Sequence, residues 1–439
     1  MEFNEILNFV LVNSEKEWKD ANDFERAILL DEQKKCILGD DEAIRGSKEK
    51  ISKLLEENKI WCEQIPEYYS SLEDAIFNEL YGLAGLAPWV YDETLEYKNS
   101  QSAKLIGNRL YCLIDGKSKL QPQVIRAERR EQLKRTFLMA SPKERLEEGF
   151  HEVYLFNGIR VTIYSGDRTK KDQDVMVFRK YLLKDYTFEK FAQLGTIPNE
   201  AVILFKLMVK IGFNVIFTGP VRSGKTTFMQ AWQSYEDESL EGVAIATDPE
   251  TPWHEIMPKA PIMQLVCDGK ELEEITKSLM RGDNDYIILE EMRDAVAMNL
   301  ALEITSTGTH RSKATIHSNS AYDLPRRMAE KIRIKYGGNQ KEIEDRIIRN
   351  YSYVLEFAQV ENDRAKKKLI SLCEYSFDEK TGKREISEII SYNKERDKWI
   401  WKYHFGEDNL KIGKDFPAEL DEMKNLLIKM ERETVKEND

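Results

Sequence analysis

Residues Gly219-Pro220-Val221-Arg222-Ser223-Gly224-Lys225-Thr226 fit the phosphate-loop pattern G-x-x-x-x-G-K-[ST], and their surroundings give the pattern mechanical meaning. Before it stands Asn214-Val215-Ile216-Phe217-Thr218, a short β-branched and aromatic run, and after it Thr227-Phe228-Met229-Gln230-Ala231-Trp232 is compatible with helix. A strand, a glycine turn and a helix start in that order aim successive backbone N–H groups, and the positive end of a helix dipole, at one anion. In such a loop Lys225 reaches the β- and γ-phosphates of a nucleoside triphosphate and the Thr226 hydroxyl ligates Mg²⁺. An α/β fold that binds a nucleoside triphosphate is the expectation.

With 439 residues the chain exceeds what one compact core normally holds, so several modules are expected. The most apolar stretch, 201–219, is interrupted by Lys206 and Lys210 and reads as a buried helix plus a strand rather than a membrane span. The first residues, Met1-Glu2-Phe3-Asn4-Glu5, lack a basic segment followed by an apolar one, which predicts a cytoplasmic protein. Cysteines 36, 62, 112, 267 and 373 are scattered and odd in number, so packed, reduced thiols are expected. The formal charge is −12, and residues 1–80 carry twenty Asp/Glu against ten Lys/Arg. That balance argues against direct nucleic-acid binding, which draws on clustered cations. The strongest basic cluster, Lys117, Lys119, Arg126, Arg129, Arg130, Lys134 and Arg135, reads as a solvated helix face.

Four segments follow from the changing periodicity. Residues 1–74 form an acidic helical module, with Trp18, Ala21, Ile28 and Leu29, then Ile44, Ile51, Leu54 and Leu55, at helical spacing and a break at Gly39-Asp40-Asp41. Ser70 with Glu73 suggests a capping box for a further helix bearing Leu72, Ile76 and Leu80. Residues 75–186 form a small α/β domain with hairpins at Asp115-Gly116 and Asn157-Gly158. Residues 187–340 alternate helix with buried strands at 243–246, 286–289 and 313–317, the rhythm of a parallel sheet. Residues 341–439 suggest short antiparallel strands and a last helix with Leu420, Met423, Leu427 and Met430 on one side.

Ligands of parallel sheets bind at the carboxyl ends of the strands, where the phosphate loop, Asp248, Glu291 and His317 all fall. Hydrolysis needs a group that orients water toward the γ-phosphorus, and Glu291, just past Ile287-Ile288-Leu289, suits that task. Its neighbour Glu290 is a candidate for the water shell of Mg²⁺, although adjacent side chains at a strand end point opposite ways.

In order and spacing these motifs resemble the traffic ATPases of bacterial type II and type IV secretion systems, especially the branch serving type IV secretion and tight-adherence pili. The loop through Thr227 is similar to that family's G-x-[TP]-G-S-G-K-T-T, with Arg222 in place of a usual glycine. Thr247-Asp248-Pro249-Glu250 resembles its acidic box, Glu290-Glu291-Met292-Arg293 its G-E-[MIV]-R signature, and Thr307-Gly308 through His317-Ser318-Asn319-Ser320 its histidine box. Tyr81-Gly82-Leu83-Ala84-Gly85-Leu86-Ala87-Pro88 looks like its Y-G-L-G-P-L-x-P. The resemblance implies a RecA-like phosphate-loop NTPase core preceded by a small α/β domain, with an N-terminal helical module and a strand-rich C-terminal extension. It implies ATP and Mg²⁺ as ligands, contacts from Asp248 and Glu250, and a γ-phosphate contact from His317. It further implies that Arg160 and Arg179 approach the nucleotide from the preceding domain. The function implied is a homo-hexameric ATPase motor at the cytoplasmic face of a bacterial membrane, bound to a membrane-embedded platform protein and powering secretion, conjugation or pilus assembly. A weakly hydrolysing nucleotide-gated scaffold and a DNA-translocating motor are the alternatives.

Overall fold

The computed structural model describes residues 1–140, 149–155, 158–180, 187–247, 251–267, 269–318, 320–360 and 366–438. Asp248, Glu250, Asn319 and the Phe156-Asn157 part of the second expected hairpin lie outside them. The chain divides into two compact units, residues 1–182 and 183–439.

The first unit opens with helices Phe3–Asp20, Asp23–Leu38 and Asp41–Glu57. The break at Gly39 is as expected: Gly39 ends one helix at φ 92° and Asp40 caps the next by accepting from the Ala43 N–H. A second break, at Asn22, is not in the sequence reading. Asn22 caps the Asp23–Leu38 helix and Glu25 completes a capping box. The apolar face differs accordingly: Ile6, Val10, Cys36, Ile51, Leu55, Ile76 and Phe77 form the core, whereas Trp18 and Ile28 lie at the surface. The next helix, Leu72–Leu80, is capped by Ser71 through the Asp74 N–H, one residue later than the expected Ser70–Glu73 box. Ile37 and Leu38 pack into the core of the following sheet, so the expected boundary at residue 74 falls within a shared core.

That sheet contains β1 (Ser102–Ile106), β2 (Arg109–Ile114), β3 (Lys117–Val124), β4 (Phe150–Tyr154), β5 (Arg160–Tyr164) and β6 (Val175–Arg179), ordered β3-β2-β1-β6-β5-β4 and antiparallel throughout. The β2–β3 turn uses Asp115 and Gly116 at φ 50° and 74°, the paired positive values of a tight hairpin. Alternate residues, among them Leu105, Cys112, Val161, Ile163, Met176 and Phe178, pack against Leu133 and Phe137 of helix Ala127–Ala140. Arg129 and Arg130 of this helix are buried rather than solvated. Arg129 donates to the Gly82 carbonyl, and burial pushes its guanidinium down to about 10.

The second unit is built on a nine-stranded sheet. Its strands are β7 (Val215–Thr218), β8 (Gly242–Ala246), β9 (Ile262–Val266), β10 (Tyr286–Leu289), β11 (Lys313–Ile316), β12 (Tyr353–Gln359), β13 (Lys367–Asp378), β14 (Lys383–Asn393) and β15 (Lys398–Trp401). Their order is β15-β14-β13-β12-β7-β11-β10-β8-β9. From β12 to β9 the neighbours run parallel, and β13 to β15 are added antiparallel. The stretch beyond residue 340 is thus continuous with the parallel sheet: β12 pairs in parallel with β7, from Tyr353↔Val215 to Glu356↔Thr218. Edge strand β9 is absent from the sequence reading because its exposed Met263 and Val266 break the buried-strand pattern.

Both faces of the parallel sheet are covered, as such sheets require. Val215 and Phe217 point into a cluster holding Phe188, Phe205, Phe228 and Trp232. Ile216 points the other way, into a cluster with Val243, Ile287, Leu300 and Ile347. Each of these large side chains contributes about 1.5–3 kcal/mol on burial. The last helix, Pro417–Asn438, buries Leu420, Met423, Leu427 and Met430, the face its spacing predicts. No helix among the described residues is long and apolar enough to cross a membrane.

Candidate nucleotide site

The fully buried β7 delivers the chain into the loop 219–224, and helix Lys225–Gln233 starts at its far side. The loop conformation depends on its glycines. Gly219 (φ 138°) passes so close to β12 that a Cβ there would collide with the Phe357 carbonyl oxygen, and Gly224 is left-handed at φ 93°. Arg222 is left-handed as well, at φ 65°, a conformation costing a non-glycine residue about 1–2 kcal/mol. Gln359 holds this turn by donating from Nε2 to the Arg222 carbonyl at 3.0 Å. Pro220 and Val221 complete the turn, and Val221 is exposed.

Two features suit this loop to an anion. The Ser223 hydroxyl is fully buried and has no hydrogen-bond partner among the described residues, an arrangement that normally costs about 1–3 kcal/mol. Lys225 is 5% exposed, and among the described residues its Nζ forms no ion pair: it donates to the Pro220 carbonyl at 2.8 Å and lies 3.2 Å from His317 Nδ1. Burial pushes the Lys225 ammonium down to about 8, with the Glu291 charge opposing. A phosphate oxygen in the loop would supply the negative charge that the ammonium lacks. Thr226 and Thr227 follow, half-buried in the first helical turn.

Glu291 and His317 leave the ends of adjacent strands, β10 and β11. His317 Nε2 is 3.1 Å from Glu291 Oε1, and Glu291 Oε2 is 2.8 Å from Arg293 Nη2. His317 Nδ1 lies 3.2 Å from both Lys225 Nζ and the Gly219 carbonyl oxygen, so the tautomer decides whether it accepts from the ammonium or donates to the carbonyl. Lys225, His317, Glu291 and Arg293 therefore form one continuous polar chain running from the phosphate loop across the strand ends. Arg293 ends the Glu290–Arg293 signature in the sequence, but only the structure gives it a role, as the partner of Glu291.

Glu290 is not part of this chain. Its buried carboxylate accepts from Thr251 Oγ1 at 2.9 Å and from Trp253 Nε1 at 2.8 Å, so both oxygens are engaged on the other side of the strand. The sequence expectation of Glu290 near Mg²⁺ meets this arrangement: pleating sends residues 290 and 291 to opposite faces. Among the described residues no cluster of three His, Cys, Asp or Glu side chains could hold a metal. Thr226 is the described group whose placement suits a cation bound alongside phosphates.

Arg160 and Arg179 belong to the first unit, where they sit directly opposite each other on β5 and β6. Like charges in that register repel. Arg160 is nearly buried, and its Nη2 pairs with Glu152 at 2.5 Å.

Several known proteins share parts of this sequence. The competence protein ComGA of Bacillus subtilis is 26% identical over 178 residues, covering 40% of this chain and 47% of ComGA. The type IV pilus retractation ATPase PilT of Pseudomonas aeruginosa is 28% identical over 184 residues, 35% of this chain and 52% of PilT. The chain thus spans about half the length of these curated relatives. Among solved structures, the pilus retraction motor PilT with bound ADP aligns at a TM-score of 0.49 and 17% identity, over 76% of this chain and 88% of that one. The description "Type II/IV secretion system protein" matches residues 171–411, more than half of the sequence, and takes in the loop, Glu291, His317 and β12 to β14; the chain belongs to the type II/IV secretion system protein family.

Proposed function

We propose that the chain is an ATP-hydrolysing motor subunit that powers assembly or transport by a bacterial secretion, conjugation or pilus machine. The Lys225–His317–Glu291 chain is the observation that carries this reading. The loop N–H groups, the Ser223 hydroxyl and the Lys225 ammonium bind the β- and γ-phosphates. Glu291 orients a water whose oxygen attacks the γ-phosphorus, and the bond from that phosphorus to the β–γ bridging oxygen breaks, leaving ADP and orthophosphate. His317, between Lys225 and Glu291, senses whether the γ-phosphate is present. A divalent cation, Mg²⁺ by the family's pattern, would add charge neutralisation on the phosphates, with the Thr226 hydroxyl as its ligand here. Asp248 and Glu250 are assigned to the nucleotide site by motif, and Arg160 and Arg179 are assigned to complete it from the first unit.

The working form is a homo-hexamer at the inner face of the cytoplasmic membrane, held by a membrane-embedded platform protein. The name of one relative, the type IV pilus assembly ATPase TfpB of Acinetobacter baylyi, supports a pilus or secretion machine as the setting. The acidic helices up to residue 74 are assigned to docking, the segments 75–186 and 187–340 to the motor, and 341–439 to its extension. Glu291→Gln keeps shape and hydrogen bonding but removes the charge that orients water, so it should bind ATP normally with turnover about 100-fold lower or less. Equal turnover in the variant and the parent would falsify the assignment. A parent that binds ATP without steady turnover would instead point to a nucleotide-gated scaffold.

A further inference from the structure

Beyond Glu291 and His317, on the side away from Lys225, lies a cleft of about 150 Å³. Met298 and Ile316 form its floor, and Arg293, Arg327 and Lys331 form its rim. The volume decides what can enter. At about 10–15 Å³ of such space per water the cleft has room for roughly ten waters, too little for a nucleotide and enough for a small hydrated anion.

Its charge points the same way. Three cationic side chains face one carboxylate, Glu291, and that carboxylate already holds Arg293 at 2.8 Å. Arg327 and Lys331 lie four residues apart on helix Leu324–Tyr336, hence on one face. Lys331 Nζ donates to the Arg293 carbonyl at 2.9 Å, which places an ammonium at the rim without neutralising it. Arg327 is exposed and makes no ion pair among the described residues. The nearby Asp294 is turned away to cap the next helix through the Ala297 N–H at 2.9 Å.

We propose that this cleft is an orthophosphate site, in which the phosphate formed by ATP cleavage is held by Arg327 and Lys331 after it leaves the loop. The proposal rests on the hydrolytic function proposed above. Glu291 and His317 line the cleft and also contact the loop side through Lys225, so they form the partition between the two compartments. A phosphate released beside Glu291 must open the Glu291–His317 contact at 3.1 Å and the Glu291–Arg293 pair at 2.8 Å before it meets Arg327 and Lys331. It then leaves by a different face from ADP, which stays anchored in the loop.

Binding of inorganic phosphate to the full-length, ADP-loaded chain, followed by calorimetry, tests the site without turnover. Arg327→Ala and Lys331→Ala should each weaken phosphate binding at least about five-fold while ADP affinity stays within about two-fold. In steady-state hydrolysis, the inhibition constant for added phosphate should rise by the same factor. Unchanged phosphate affinity in both variants overturns the site. Loss of ADP affinity in parallel would mean that the phosphate was bound in the loop, which also overturns it. A parent chain that binds phosphate through Arg327 but does not hydrolyse ATP overturns the release role and the hydrolytic function together.

Discussion

The two ends of the parallel sheet each bury a lysine, and they treat it in opposite ways. At the amino ends Lys313, fully buried at the start of β11, lies 2.7 Å from Glu236. Arg311 pairs with the same carboxylate at 2.7 Å and donates to the carbonyls of Val209 and Lys210, capping the end of helix Ala201–Ile211. At the carboxyl ends, among the described residues, Lys225 has no carboxylate partner and Ser223 no hydrogen-bond partner, and Arg222 sits in a strained backbone conformation. One end pairs its buried lysine with a buried carboxylate. The other leaves a buried hydroxyl and a buried ammonium without such partners among the described residues, an arrangement that suits an anionic ligand.

This contrast predicts opposite outcomes for two substitutions. Glu236→Ala strands a buried ammonium and should destabilise the second unit by about 3–5 kcal/mol, read by urea unfolding with tryptophan fluorescence. Lys225→Ala removes a buried cation whose burial outweighs the opposing Glu291 charge, so stability should hold or rise. ATP affinity should nevertheless fall at least about 100-fold, or about 2.8 kcal/mol, in a fluorescent-nucleotide titration. Comparable loss of stability in the two variants would erase the distinction between the sheet ends.

The next effect depends on pH. The Lys225 ammonium, pushed down to about 8, deprotonates in the folded chain well before it does so in the unfolded chain, where it keeps its ordinary value of 10.5. Between those values the unfolded state binds more protons, so Lys225 makes the free protein gain stability as pH rises from about 8 towards 10.5. Nucleotide binding runs the other way. A triphosphate favours the charged form, so ATP affinity should weaken above about pH 8 by up to tenfold per unit, with proton uptake on binding. Calorimetry in buffers of different ionisation enthalpy measures that uptake, and a Lys225→Ala chain should not show it in this window.

The functional end of the sheet was the more legible in sequence. The loop, Glu291 and His317 are set by short local patterns attached to buried strands, and β7, β8, β10 and β11 carry the apolar runs expected of a doubly covered sheet. What sequence missed depends on contacts far apart along the chain. Glu236 meets Arg311 from 75 residues away, and β12 pairs with β7 across a still longer stretch of chain, from Tyr353↔Val215 onward, which local periodicity cannot reveal. Glu290 is instructive because pleating predicted that it and Glu291 would diverge. Only Thr251 and Trp253, 39 and 37 residues earlier, fix which of the two turns away. The Asn22–Glu25 capping box, by contrast, is a local signal, four residues long and legible in sequence.

The smallest predicted effect concerns Arg222, where the family's usual glycine is replaced. At φ 65° a side chain costs about 1–2 kcal/mol, and glycine returns about 0.4–1 kcal/mol of that through the larger entropy of its unfolded chain. Arg222→Gly should therefore stabilise the second unit by about 0.5–1 kcal/mol, or raise its Tm by about 1–4 °C. The turn itself should persist, because the bond from Gln359 runs to the Arg222 backbone carbonyl and does not need the side chain. ATP affinity separates strain from function at this position. If it stays within about two-fold, the left-handed arginine is a tolerated cost of this loop. A gain in Tm together with a several-fold loss of affinity would mean that the guanidinium itself reaches the phosphates, and the strain at this end of the sheet would then belong to binding rather than to the backbone alone.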